Sequence, residues 1–496
     1  MDEHPQPPAD QPPPPAPPAA SQAGDGGRRA PIGLLTMGWR TAIAWAFLSV
    51  LVVGVLAEGV FFLGYFATSA SQRPSSILLA RLGGAVFYSF HHVAMVVDLA
   101  GLQLPAPFSG SAASVRFTLA VALMTGTVLV IALLYAAGRA IGRELAGPAW
   151  LRGLHGTKVA LAYSVITFGA SYGVRFRAPR LPAPVGGSLI VHPSHLAALL
   201  WPLALGVIFG FIGGFRSPGG AGWDTSVWDR RIRGALHGGW RMIVYGLLFG
   251  FLSLLGMAAV HPDITADYFN GAFHGSLLRG LTIVYAHSLF IPNMAAWVLF
   301  PSMGTCLGVN GGPISICALS YTHFPSSRVV SAPGGLSGLP FSLPSLPGPP
   351  LVYFGFVAVP LLAVLLGGLA AAKRAHPASR EEAAMVGAMA GVAFALFALG
   401  TLLLASIRFK VGGSVGAVNQ LVGTRVGPDV VSGTLLALLW GVVGGALGGL
   451  LSARSLGRRG GPVGPAWQSS VAQPPPDAPP QPAPPPPAAP APPAES

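Results

Sequence analysis

Apolar stretches recur along this chain between short polar and often basic connectors, and the pattern predicts helices that cross a membrane. A hydrocarbon core about 30 Å thick needs about 20 mostly apolar residues in a helix. Thr41–Phe66, Phe117–Ile141, Leu196–Phe215 and Ser432–Leu451 meet that length with almost no charge. Thr157–Tyr172, Trp240–Val260, Arg279–Phe300, Leu351–Ala372 and Ala384–Ser406 read the same way. An odd count would separate the two ends, yet Arg28, Arg29 and Arg40 precede the first stretch and Arg454, Arg458 and Arg459 follow the last. Arginines beside a span are retained in the cytoplasm. The missing crossing is expected at Ser302–Tyr321, a weaker stretch broken by Gly304, Gly308 and Pro313. The expected fold is therefore an all-α polytopic transmembrane bundle over 41–452, with about ten (nine to ten) spans and both termini cytoplasmic.

Two segments stand apart from that pattern. Residues 77–104 are apolar overall but carry Arg81, His91, His92 and Asp98, so an interfacial or re-entrant segment on the outer side is expected. Residues 323–350 form an outer loop rich in Ser, Pro and Gly.

Composition sharpens the class. Charged residues make up 9% of the 496, and mean hydropathy is +0.60, which excludes a soluble domain of this length. The net charge of +13 lies mostly beside the spans, so it reads as a membrane signature and not as a nucleic-acid surface. The ends, 1–40 and 453–496, are Pro-rich and expected to be disordered, solvated cytoplasmic tails. No cleavable-signal pattern marks the first tail, so the first span is expected to be an uncleaved anchor. The abundance of Arg, Ala, Gly and Pro fits a bacterium with a GC-rich genome, and hence its plasma membrane. Cys306 and Cys317 form neither a disulfide framework nor a zinc pattern.

Candidate chemistry is sparse. Gly206, Gly210 and Gly214, and again Gly441, Gly445 and Gly449, recur at four-residue spacing and make flat strips for close helix packing. Packing within one chain is expected, with a homo-oligomer seam at Gly441–Gly449 as the alternative. Glu58 lies inside the first span, either as a protonatable group on a solute path or as a carboxyl reaching the headgroups. The sixth span carries His287, then Pro292 and Asn293; the proline removes a backbone donor and should break the helix there. His287, Asn293 and Asn310 are expected to point into the bundle. His192 and His195 have no acidic partner in sequence, and no metal, phosphate-loop or catalytic motif accompanies them. No cofactor is implied, and an enzyme is not expected.

Several short motifs carry a resemblance. They are Leu134-Tyr135-Ala136-Ala137-Gly138-Arg139, the run from Arg233 to Trp240, and Pro292-Asn293 with Trp297. The chain resembles a poorly characterised family of actinobacterial polytopic membrane proteins, associated in part with cell division. Where the second mark of that family falls, this chain has Gly304-Thr305-Cys306-Leu307-Gly308. The resemblance implies a non-enzymatic scaffold or stabilising partner of envelope or division membrane proteins. A secondary transporter or permease, with a discontinuous helix around Pro292-Asn293, is the alternative. Comparing the two halves by eye finds no internal repeat, which weighs against transport. A lipid-modifying enzyme ranks third, because acidic and histidine clusters are lacking.

Overall fold

The structure, a computed structural model, describes residues 36–68, 75–102, 113–145, 148–178, 188–217, 227–274, 276–311, 314–319, 355–415 and 418–458. The Pro-rich tails before residue 36 and after 458, and the loop 323–350, lie outside these residues. The helices are α1 (Trp39–Ala67), α2 (Ser76–Phe90), α3 (Met124–Arg143), α4 (Ala149–Gly156), α5 (Lys158–Ser171), α6 (His195–Phe215), α7 (Val227–Val260), α8 (Pro262–Phe273), α9 (Leu277–Ser288), α10 (Ile291–Ser302), α11 (Ala358–Ala375), α12 (Arg380–Ala405) and α13 (Val430–Arg458). Seven of them, α1, α3, α6, α7, α11, α12 and α13, are long and apolar enough to cross a membrane, or eight spans if the bent pair α9–α10 counts as one. Large apolar side chains such as Phe62 and Leu396 project outward from them, 63% and 66% exposed. The chain is a membrane-embedded helical protein.

It is not all-α. Among the described residues, eight strands form one antiparallel sheet: β1 (Met95–Leu102), β2 (Ala113–Ala120), β3 (Phe176–Ala178), β4 (Ser188–Pro193), β5 (Leu307–Gly311), β6 (Ile314–Leu319), β7 (Ile407–Val415) and β8 (Val418–Pro428), in the order β3-β4-β1-β2-β7-β8-β5-β6. The expected tenth crossing at Ser302–Tyr321 is the hairpin β5–β6, tied by a disulfide between Cys306 and Cys317. The two cysteines are thus partners. Residues 77–104 are not one interfacial segment either, since helix α2 ends at Phe90 and strand β1 begins at Met95. In each case an apolar run conceals strand alternation, because one polar residue in two is too thin a signal beside a long span. The stretch Thr157–Tyr172 contains only the short helix Lys158–Ser171, preceded by α4.

The two halves of the chain are copies. Helices α1, α2, hairpin β1–β2, α3, α5, hairpin β3–β4 and α6 recur in order as α7, α10, β5–β6, α11, α12, β7–β8 and α13. Helix α4 in the first half and α8 and α9 in the second are additions. Local details repeat as well. The Val93 amide donates to Tyr88 O and the Ser194 amide to Ala94 O; their counterparts are Thr305 to Phe300 O and Asp429 to Cys306 O. Left-handed backbone falls at His92 (φ 59°) and at its counterpart Gly304 (φ 104°). Two cores form, one centred on Leu134 and Tyr163 of the first half and one on Met242 and Phe394 of the second, with Met124 and Leu289 each packed in the other half's core.

The glycine strips hold each copy together. Gly210 lies against the backbone of Gly138 on α3 and Gly156 on α4; Gly445 lies in the same way against Gly368 on α11 and Gly387 on α12. Gly214 abuts the Arg152 carbonyl and Gly449 the Ala383 carbonyl. A Cβ at Gly206 would fall 2.6 Å from Ala160 Cα, and one at Gly441 would fall 2.9 Å from Gly391 Cα. The strip Gly441–Gly449 is therefore filled by helices of its own chain and is not a free seam for a second copy.

Gly210→Ala and Gly445→Ala are expected to destabilise the protein by about 1–3 kcal/mol, the usual cost of overpacking. Gly54→Ala, Gly256→Ala and Gly400→Ala, where an added Cβ meets nothing within 4 Å, should leave stability unchanged or raise it. Thermal unfolding in mild detergent measures both sets. Equal effects in the two would contradict the packing described.

Candidate functional site

The sheet joins the two halves at β2 and β7, where Thr118 lies opposite Lys410 and Ala120 opposite Arg408. Alternation along the strands sorts its side chains onto two faces. One face carries Asp98, Arg116, Thr118, Arg408, Lys410, Arg425 and Asn310, which the strand registers place in adjacent rows. The other is apolar, with Phe117 stacked on Phe409 at 5.9 Å. Leu119 and Phe409 on that side are 41% and 36% exposed.

Charge on the polar face is only partly balanced. Asp98 accepts a hydrogen bond from Arg116 Nε at 2.6 Å and lies 3.3 Å from His192 Nε2. Burial alone would raise the Asp98 carboxyl, but the hydrogen bonds from Arg116 and His192, with their charges, hold it below the ordinary carboxylate value. Asp98 is the acidic partner of His192 that sequence spacing did not reveal. His195 sits between the rings of Tyr172 (4.3 Å) and His192 (5.3 Å), its Nδ1 2.7 Å from Ser171 Oγ. Among the described residues, no three His, Cys, Asp or Glu side chains cluster to hold a metal.

Arg408 lies directly opposite Arg425 across β7 and β8, and among the described residues neither they nor Lys410 has a carboxylate within ion-pair distance. Like charges directly opposite one another destabilise a sheet. Arg425 Nη2 donates to Leu402 O at 3.2 Å and to Ser406 Oγ, while its Nε is buried without a partner. Asp429, whose charge reaches Arg425, uses its Oδ1 to cap the amide and hydroxyl of Ser432 at the start of α13. His92 lies within reach of the charges of Arg408 and Arg425. It is 4% exposed, its ring lies edge-on to Trp201 at 5.1 Å, and its Nδ1 has no partner. Burial, helped by the charges of Arg408 and Arg425, pulls His92 down to about 4, so the ring is neutral near pH 7. Beside it, His91 Nδ1 lies 2.7 Å from Phe87 O and Nε2 lies 2.6 Å from Tyr163 Oη. Neutral His91 therefore donates from Nδ1 to the carbonyl and accepts the tyrosine hydroxyl at Nε2.

Of the membrane-depth candidates Glu58, His287, Pro292, Asn293 and Asn310, only Asn310 reaches this region, on β5 opposite Arg425. Glu58 lies on α1 against Gly83 of α2, where an added Cβ would overlap the carboxyl. Pro292 sits in the first turn of α10, so it starts a new helix after a 46° bend and does not kink a continuous one. Asn293 is 1% exposed; its Oδ1 accepts the Met124 amide at 3.0 Å and its Nδ2 donates to Ala122 O at 2.7 Å. It thus caps α3 from the other half of the chain. His287 does not point into the bundle: it is exposed, with Nδ1 2.8 Å from Ile283 O. Sequence reading named His92 only as a polar residue of segment 77–104 and missed Arg408 and Arg425. The signal that could have found them is the pair of basic residues two apart, Arg408 and Lys410, in an alternating stretch between two spans.

No family model, no curated protein and no solved structure matches this chain.

His92 generates a pH dependence. Its folded value lies below that of an unfolded histidine, so its stabilisation is present above about pH 6.5 and is lost as pH falls from there toward 4. The gap corresponds to roughly 3 kcal/mol at most. Unfolding midpoints between pH 7 and 4 should therefore fall in the wild type. They should fall less steeply in His92→Asn, because asparagine tolerates left-handed backbone. Parallel curves for the two proteins would refute this.

Proposed function

We propose that the chain is a permease-type protein of a bacterial plasma membrane, in which two parallel repeats share a polar path for a charged solute. The internal repeat carries this reading. In transporters built from parallel repeats, the halves are related about the membrane normal and the solute site lies where they meet. Here the meeting place is the β2–β7 seam, and its polar face carries Arg408 and Lys410 from the second half beside Thr118 from the first. The reading takes up the transport alternative from the sequence in preference to the scaffold that the resemblance implies.

Topology supports the same picture. Crossings by α1, α3, α5, α6, α7, α11, α12 and α13 give four per repeat, with α5 extended by α4. That even count replaces the ten expected from hydropathy and keeps both termini on one side. Arg139, Arg143, Lys158, Arg231, Lys373 and Arg454 lie at helix ends remote from the sheet, the arrangement of a cytoplasmic face. The Cys306–Cys317 disulfide lies at the opposite end, as an oxidising exterior requires. Repeating the β2–β7 pairing by the operation that relates the halves would set β6 beside β3 and close the sheet, with its polar face lining a bore.

Leu119 pairs with Phe409 across the seam; their repeat counterparts are Leu319 and Ala178. Cysteines at those two positions are expected to crosslink under mild oxidation, detected by fragments staying joined after cleavage at a protease site placed in 218–226. No crosslink would leave the sheet open. Purified protein in liposomes should also give saturable uptake from a panel of labelled inorganic and organic anions. Absence of uptake across the panel, with reproducible co-purification of division or envelope proteins, would return the scaffold in its place.

A further inference from the structure

We propose that the second half's side of the seam binds a phosphate-type oxyanion, held by Arg408, Arg425 and Lys410 above the buried ring of His92. The inference rests on reading the seam as a solute path and names the chemistry of what it takes. Three cations lie within two strands: Arg408 and Arg425 are register partners, and Lys410 lies two residues along the same face. Asp98 is paired with Arg116 and His192, and Asp429, whose charge reaches Arg425, caps Ser432 and makes no ion pair with it. Opposed cations without a carboxylate in ion-pair distance cost stability, and a bound anion converts that cost into charge-assisted hydrogen bonds.

Two buried polar atoms in this part of the molecule lack partners. One is Arg425 Nε, on a side chain whose Nη2 is already tethered to Leu402 O and Ser406 Oγ. The other is Nδ1 of His92, on a ring 96% buried (4% exposed) and fixed against Trp201. A tethered guanidinium with one free N–H edge and a second guanidinium opposite suits an oxygen-rich tetrahedral anion better than a point charge such as chloride. The repeat supplies an internal control: Arg177 is the copy of Arg408, but its register partner is Ile190 where Arg408 has Arg425. The first half therefore lacks the second guanidinium and should not bind.

A phosphate group could come from a lipid headgroup or from a free solute, and the exposed apolar Leu119 and Phe409 on the reverse of the sheet are compatible with either. The test uses the full chain in mild detergent, following thermal unfolding with increasing inorganic phosphate and with sodium chloride at matched ionic strength. Phosphate should raise the midpoint saturably and chloride should not. Arg408→Gln should weaken the half-saturating phosphate concentration by about tenfold, the loss of one charge-assisted contact. Its midpoint without phosphate should equal or exceed that of the wild type, because an opposed cation is gone. Lys410→Gln should weaken the response without the tether that complicates Arg425, and Arg177→Gln should leave it intact.

A fall in the phosphate-free midpoint of Arg408→Gln with an unchanged response would overturn the site, as would equal stabilisation by chloride. If inorganic phosphate fails but nanodiscs containing phosphatidic acid stabilise the wild type over Arg408→Gln, the anion is a lipid headgroup and the proposal stands. Phosphate binding lost in Arg408→Gln, with no uptake by the wild type in liposomes, would keep the site and remove the permease. Uptake that is indifferent to Arg408→Gln, with no phosphate response, would do the reverse.

Discussion

Close contact between glycine backbones is the constraint on which the rest of this structure depends. Lipid gives apolar helices no hydrophobic reason to associate, so the attraction must come from dispersion at short range and from the removal of side chains that would hold backbones apart. Gly210 supplies that contact to Gly138 and Gly156, and Gly445 supplies it to Gly368 and Gly387. Each strip fixes three helices as a unit, α3 with α4–α5 and α6, then α11 with α12 and α13. Because two helices of each unit begin, and one ends, at the same end of the bundle, the connections between them emerge side by side. Strand pairing follows from that placement.

Those connections could not remain irregular. Unpaired backbone groups near a membrane are costly, and the hairpins satisfy them by pairing with one another across both halves. The sheet is thus the structural join between repeats as well as the place where their polar residues meet. Asn293 reinforces the join at its edge, bonding Met124 N and Ala122 O at the point where the first hairpin turns into α3. The amide thus reaches out of its own helix to cap a helix in the other copy.

Helix existence was legible because long apolar runs have few alternatives. Seven of the spans read from hydropathy correspond to the long membrane helices, and the break near Pro292 is where a bend occurs. The strands were not legible. Segments such as Met95–Leu102 carry one charged residue, Asp98, in an otherwise apolar run, and Ala113–Ala120 carries only Arg116. The first reads as part of the interfacial segment 77–104, and the end of the second as part of the span Phe117–Ile141. The repeat was hidden for a related reason: the copies share geometry more than identity. Gly206-Val207, Gly210 and Gly213-Gly214 do recur as Gly441-Val442, Gly445 and Gly448-Gly449, but Tyr163 is matched by Phe394 and His91 by Met303. The candidate site suffered most, since Arg408 and Arg425 come together only through the β7–β8 register.

The proposed chemistry rests on the divergence between the copies. Backbone geometry at His92 and Gly304 is shared, and glycine is the residue that adopts positive φ without strain. A histidine at that position gains nothing for the turn and adds a buried, polar ring. Likewise Ile190 occupies a strand position comfortably, whereas its counterpart Arg425 places a cation opposite Arg408 at a cost to the sheet. Two departures from the residue that packs best, His92 in the first half and Arg425 in the second, each leave a polar atom without a partner and bring nothing to folding. Residues that break local rules without structural return mark function more often than residues that obey them. The duplicated scaffold is symmetric because packing demands it. The charge within it is not: Arg408 faces Arg425 where Arg177 faces Ile190, and the proposed anion site rests on that asymmetry.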